Sequence, residues 1–196
     1  MAAISLVCGL GNPGAQYEAT RHNAGFWFLD ALERTVSLPW RPDTRFFGEL
    51  ADSRVGQQRV RFLRPNTFMN ECGSAVAGVS GYFDIPPEAM LVVHDDLDLP
   101  PGTVRLKKGG GHGGHNGLRD IFSKLGSREF VRLRIGIGHP GNSDGVSDWV
   151  LRKPSAEDKT AILDAIDRAL GEIDPIMGGD LEPVMKALHT QQKGQS

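Results

Sequence analysis

Apolar positions along the chain fall into short runs and helical periods, punctuated by glycine and proline. Residues 4–10 form an apolar run closed by Gly11-Asn-Pro-Gly14, which predicts a buried strand stopped by a turn. Residues 23–32 predict a helix with Asn23 as N-cap and Phe28, Leu29 and Leu32 on one face. Residues 47–55 and 58–63 read as two strands around Gly56. Ala75, Val76, Val79 and Phe83 give a helix over 70–83, stopped by Pro86-Pro87. A buried strand over 90–94 runs into Asp95-Asp96, and 103–107 and 131–137 are further strands. Between these two lies Gly109-Gly-Gly-His-Gly-Gly-His-Asn-Gly117, followed by a helix over 118–125.

Past His139-Pro-Gly141 the pattern becomes helical. One amphipathic helix uses Ile162, Ile166, Leu170 and Ile173, and a second uses Leu181, Val184, Met185 and Leu188. Strands interleaved with helices predict an α/β domain over 1–190. Its mixed, largely parallel sheet is flanked by helices, with an antiparallel pair near 47–63 and C-terminal helices added. Residues 191–196 form a polar tail expected to fray. In such folds polar residues past the strand ends converge on one crevice, so Asn12, Asp95 and the glycine loop are expected together.

Composition narrows the class. With 39% hydrophobic and 23% charged residues, the chain is neither disordered nor fibrous. No stretch approaches the roughly 18 to 20 apolar residues of a bilayer span. The N-terminal run has no basic segment before it and is interrupted by Gly9 and Gly11, unlike a signal peptide. Cys8 and Cys72 sit in apolar runs and make neither a disulfide framework nor a zinc site. A cytoplasmic protein is the expectation.

Charge is uneven. Residues 105–134 hold eight basic side chains against two acidic ones, a net of +6 in a chain of net −2, so the remainder carries −8. A basic segment in an acidic chain suggests a local polyanion contact; the alternative is a solvated face.

Several motifs compete for the chemistry. Gly9-Leu-Gly-Asn-Pro-Gly14 fits the dinucleotide-binding spacing, but the helix begins near Asn23, well past the last glycine. His22 lies where a loop meets a helix N-terminus, which lowers its basicity unless a carboxylate restores it. Alone it reads as a surface or capping histidine. Asp95 and Asp96 could orient an imidazole, form a turn or touch a metal. His94, His112 and His115 lack metal-ligand spacing, and the glycine run around His112 and His115 fixes ligands poorly. Neither cysteine adjoins a histidine-bearing loop. Six glycines in nine residues at 109–117 would let backbone N–H groups approach an anion.

Six stretches occur in order over residues 4–140: Gly9-Leu-Gly-Asn-Pro-Gly14, Thr20-Arg-His-Asn-Ala-Gly25, Thr67-Phe-Met-Asn70, His94-Asp-Asp-Leu-Asp-Leu-Pro100, Gly109–Gly117 and Arg132-Leu-Arg-Ile-Gly-Ile-Gly-His-Pro140. Together they resemble the bacterial peptidyl-tRNA hydrolase family. The resemblance implies a monomeric, metal-free and cofactor-free esterase. Its substrate would be peptidyl-tRNA, cut between the peptide and the 3′-terminal ribose so that tRNA dropped by stalled ribosomes is recycled. By the same resemblance His22 is the general base and Asp95 the carboxylate holding it. Asn12, Asn70 and Asn116 grip the peptide and the tRNA 3′ end, Asn12 also separating blocked from free aminoacyl ends. Tyr17 and Phe68 lie near the terminal nucleotides, and Met69 and His115 line the cleft. Lys107 and Arg134 clamp the 5′-phosphate, joined by Arg105 where the family often has lysine. A non-catalytic RNA-binding relative of the same fold would keep the basic segment but could lose His22 or Asp95; both are present. A nucleotide-dependent oxidoreductase is the third class, and a bound cofactor's absorbance would reveal it.

Overall fold

In the computed structural model, which describes residues 2–193, one seven-stranded sheet separates two helical layers. The strands are β1 (Leu6–Gly9), β2 (Arg41–Asp43), β3 (Gly48–Val55), β4 (Gln58–Pro65), β5 (Met90–Asp96), β6 (Val104–Lys108) and β7 (Val131–Gly136). Their order across the sheet is β2-β3-β4-β1-β5-β7-β6. The four central strands, β4-β1-β5-β7, are parallel. Antiparallel pairing is confined to the edges, where β2 and β3 meet β4 on one side and β6 meets β7 on the other. The first edge includes the expected pair near 47–63; the second is an addition.

Alternation along the central strands explains the two layers, because successive side chains point to opposite faces. Val7, Leu91 and Val93 face one core, with Phe28 and Leu29 of α1 (Ala24–Leu32). Ile162 and Ile166 of α5 (Ala156–Leu170) and Leu181 and Leu188 of α7 (Leu181–Lys193) complete that core. Leu6, Cys8, Met90 and Val92 face the other core, with Ala75, Val76 and Val79 of α2 (Gly73–Tyr82) and Leu118 and Ile121 of α3 (Asn116–Leu125). Both cysteines are buried and free.

The departures from the sequence reading have local causes. Strand β2 was not foreseen because Arg41-Pro-Asp43 carries no apolar alternation; a proline is tolerated there because β2 is an edge. Helix α2 begins at Gly73, after a separate 3₁₀ turn at Met69–Glu71, instead of at residue 70. Ile173 does not extend α5: the helix ends at Leu170, and Ile173 opens the short α6 (Ile173–Met177) after Gly171. A further short helix, α4 (Val146–Val150), lies in the segment following His139-Pro-Gly141. Helix α7 continues through Lys193, so the expected frayed tail does not start at 191; residues 194–196 lie outside the described residues. No helix among the described residues is long and apolar enough to cross a membrane.

Helix α1 crosses the sheet at van der Waals contact of backbone on backbone. A Cβ on Gly25 would lie 2.4 Å from the Leu10 nitrogen and 2.5 Å from the Leu10 and Val93 carbonyl oxygens. Gly25→Ala should therefore destabilise the fold by about 1–3 kcal/mol or more, since no flexible side chain can yield. Gly81, in the exposed last turn of α2, has nothing within 4 Å of a Cβ. Gly81→Ala should be neutral or stabilising by up to about 1 kcal/mol. Urea unfolding of both variants measures the contrast; equal effects would contradict the close crossing.

Candidate active site

The parallel strands deliver their C-terminal ends to one edge of the sheet, and a cleft of about 690 Å³ opens there. The turn after β1 brings Asn12, the end of β5 brings Asp95, and the segment after β4 brings Phe68, Met69 and Asn70. The glycine loop and the start of α3 bring His115 and Asn116, while β6 and β7 bring Lys107 and Arg134. Tyr17 and His22 complete the set. Of the side chains singled out from sequence, only Arg105 falls outside the lining: it is exposed on the edge strand β6. The cationic wall is Lys107, Arg132 and Arg134.

Asp95 is the centre of the site. It is 2% exposed and accepts from two imidazoles: His22 Nδ1 at 2.9–3.0 Å and His115 Nε2 at 2.8 Å. Burial alone would raise the Asp95 carboxyl, but the two rings donating to it hold it far below the usual carboxylate range. For His22 the balance runs the other way. Burial disfavours its imidazolium, yet the charge and hydrogen bond of Asp95 outweigh burial and raise its pKa above 6.5. With Nδ1–H donated to Asp95, Nε2 carries the lone pair, and it has no protein partner among the described residues. A basic nitrogen therefore faces the cleft, on a ring whose orientation is fixed from behind.

His22 is not the surface or capping residue that its sequence position alone suggests: it is 7% exposed, in a 3₁₀ turn at Arg21–Asn23. Nor does Asn23 cap α1. Its side chain instead braces the Asn12 peptide, accepting from the Asn12 N–H at 2.8 Å and donating to the Asn12 carbonyl at 3.0 Å. The Asn12 side chain is oriented in turn by the Met69 N–H, which donates to Oδ1 at 2.7 Å. That bond assigns the amide: Nδ2 is the end left for a ligand. Asn70 and Asn116 are exposed at the cleft, Asn116 accepting from Arg119 at 3.3 Å.

The glycines of the dinucleotide-like motif serve packing. A Cβ on Gly9 would lie 2.6 Å from Leu29 and one on Gly11 2.6 Å from Phe26. The motif is followed by a single 3₁₀ turn at Ala15–Tyr17 and not by a helix that could face a pyrophosphate. His22, Asp95 and His115 bring their donor atoms within 4.8 Å of one another. These atoms meet as N–H donors and a carboxylate at 2.8–3.0 Å, and the other His115 nitrogen accepts from the backbone. Metal ligation at about 2.0–2.2 Å would require removing both ring protons and the contacts they make.

Sequence reasoning missed two arginines. Arg132 is 4% exposed, and its Nη1–H donates to the Gly111 carbonyl at 2.9 Å, tying the glycine loop to β7. An arginine inside the apolar run of a central strand was the available signal. Arg21, next to His22, stacks 3.6 Å from the Trp149 ring centroid and donates to the Trp149 carbonyl at 3.1 Å. It thereby fastens α4, whose Val146, Ser147 and Val150 line the cleft. Nothing in the local sequence links residues 21 and 149.

A family model described as peptidyl-tRNA hydrolase matches residues 6–196. The chain is 53% identical over 189 residues to the peptidyl-tRNA hydrolase of Saccharophagus degradans, covering 96% of each chain. It is 48% identical over 188 residues to that of Neisseria meningitidis, covering 96% of this chain and 98% of the other. Its fold is similar to the crystal structure of peptidyl-tRNA hydrolase from Acinetobacter baumannii, with a TM-score of 0.93, 45% identity and coverage of 96% and 95%.

Asp95→Asn should show which effect governs His22. With the carboxylate removed, burial is left as the dominant influence and the imidazole should titrate below the ordinary 6.5 instead of above it. Imidazole NMR titration of the free protein reads the midpoint. A midpoint that stays above 6.5 would detach Asp95 from His22.

Proposed function

The chain belongs to the peptidyl-tRNA hydrolase family, and we propose that the His22–Asp95 pair is the base by which it works. Its reaction is the hydrolysis of peptidyl-tRNA. The observation that carries the assignment is the unpartnered Nε2 of His22 at the cleft, with Nδ1 committed to Asp95.

In this reading Nε2 takes a proton from a water molecule as its oxygen attacks the ester carbonyl carbon. The Asp95 carboxylate stabilises the imidazolium so formed. The carbonyl oxygen becomes negative in the tetrahedral state, where amide N–H groups of Asn12, Asn70 and Asn116 are the available donors. Collapse breaks the bond between the acyl carbon and the ribose oxygen, and the proton held on His22 passes to that leaving oxygen. Atoms and charge balance without a metal or a covalent enzyme intermediate. Neutral amides also suit a substrate whose side chains vary, because they read peptide N–H and C=O groups common to all sequences.

Tyr17 and Phe68, whose rings meet edge to face at 6.3 Å, are assigned to the terminal nucleotides, with Phe68 53% exposed and free to stack. Met69 and His115 form the floor. Lys107 and Arg134 are assigned to the terminal phosphate; Arg134 is partly neutralised by Asp96 at 2.7 Å. Arg105 adds charge outside the cleft. The enzyme is read as a cytoplasmic monomer that recycles tRNA released from stalled ribosomes.

Turnover of N-acetyl-aminoacyl-tRNA by purified protein, with an unblocked control, tests the assignment. His22→Ala should lower kcat by at least about a hundredfold; a folded variant with near wild-type turnover refutes the base. Lys107→Ala and Arg134→Ala should raise KM on full-length substrate and weaken its salt dependence, with kcat changed much less. On a peptide esterified to a short 3′ oligonucleotide both variants should match wild type. Equal impairment there would place these cations in the reaction site instead of on the phosphate.

A further inference from the structure

His115 uses its two ring nitrogens for two different structural tasks. Nδ1 accepts from the backbone N–H groups of Gly117 and Leu118, at 3.1 and 3.3 Å, and so caps the N-terminus of α3. N-caps are ordinarily Ser, Thr, Asp or Asn, whose oxygen accepts in either protonation setting of its surroundings. An imidazole in that place accepts only if its proton is on the other nitrogen. The cap therefore selects the Nε2–H tautomer, and that proton is the one donated to Asp95 Oδ1 at 2.8 Å. The ring has little freedom to leave: a Cβ on Gly117 would already touch the His115 ring at 3.0 Å and Met69 sulfur at 2.6 Å.

Asp95 thus divides its charge between His22 and a second donor whose proton position is enforced by a helix end. We propose that His115 is a positioning residue, which orients Asp95 and limits how strongly that carboxylate favours the His22 imidazolium. The proposal rests on His22 being the base. Its consequence is a base tuned by two opposed neighbours: Asp95 makes His22 more basic, and His115, by occupying part of Asp95, makes it less so. It also links the base to the glycine loop, since α3 and its cap follow that loop directly.

The groups about His22 leave few other sources of tuning. From β5 it faces Asp95, and from the α3 cap His115, with ring centroids 4.9 Å apart. His94 of β5 lies behind, 5.1 Å from the His115 ring; burial pushes its imidazole down to about 3, so it brings no positive charge. Arg21 directs its guanidinium at Trp149 and the Arg152 carbonyl.

The two tasks can be separated by substitution. Asn and Ser are good N-caps but too short to reach Asp95, whereas Gln can place an N–H near the position of Nε2. In His115→Asn and His115→Ser the His22 midpoint, read by imidazole NMR in the free protein, should move upward. The acidic limb of kcat/KM on N-acetyl-aminoacyl-tRNA should move to higher pH with it. His115→Gln should stay nearer wild type. These shifts are opposite in sign to that of Asp95→Asn, a distinction that general damage to the fold would not produce. An unmoved or lowered midpoint in the Asn and Ser variants overturns the proposal, as does an equal rise in His115→Gln. If the midpoint rises but the acidic limb does not follow, the tuning stands and the assignment of His22 as base fails.

Discussion

A carboxylate without water must be given its hydrogen bonds by the protein, and Asp95 is such a group. Leaving a buried charge unpaired costs about 3–5 kcal/mol, a large share of a typical fold's stability of about 5–15 kcal/mol. The arrangement about Asp95 follows from that requirement. One imidazole must come from the turn before α1, which demands that α1 lie close on β1 and β5; Gly25 makes this approach possible. The other must come from the start of α3, which fixes where the glycine loop ends. The carboxylate is therefore a structural keystone before it is a chemical one. The basicity of His22 is a by-product of satisfying it.

A second network holds the neutral side of the cleft with equal economy. Asn23 grips the backbone of Asn12, and Met69 N–H grips its side chain. One amide hydrogen-bonding group is thereby aimed at the cleft by contacts from two separate segments. Charged groups would be poorer choices there, since a cation would oppose the imidazolium that His22 becomes in the proposed reaction. Placing Lys107, Arg132 and Arg134 on β6 and β7 keeps positive charge at the other wall. The sheet order, with β5 between β1 and β7, is what sets the two walls apart.

The parts of this arrangement legible in the sequence are those written in local pattern. The strands expected over 4–10 and 90–94 follow from apolar runs and their punctuation and correspond to β1 and β5, and the rule that parallel strands open onto one crevice brought Asn12, Asp95 and the glycine loop together. Pairwise partners across the chain were beyond that reach. Asn23 has an N-cap's identity and position, so propensity assigned it to α1; only the fold shows the Asn12 peptide within its reach. His22 read alone as a surface residue because a single sequence does not show what covers it. Arg21 and Trp149 stand 128 positions apart, with neither in a pattern that announces the other. Edge strands β2 and β6 depend on the sheet for their pairing, which is why one was missed and the other's direction was not read.

The clasp of Arg21 on α4 extends the same logic to the cover of the cleft. Arg21 and His22 are consecutive, so whatever fixes one limits the backbone freedom of the other. The Arg21 N–H donates to the Arg152 carbonyl at 3.1 Å while its guanidinium reaches Trp149, so α4 and the residues just after it are each attached to the turn that carries His22. Trp149 is held in turn by its indole N–H on the Gly138 carbonyl at 2.9 Å, just past β7. The cover is thus connected to both walls, through Arg21 to the His22 turn and through Gly138 to the end of the strand bearing Arg132 and Arg134. Besides the sheet itself, these hydrogen bonds give the two walls a second connection, which runs across the cleft through α4.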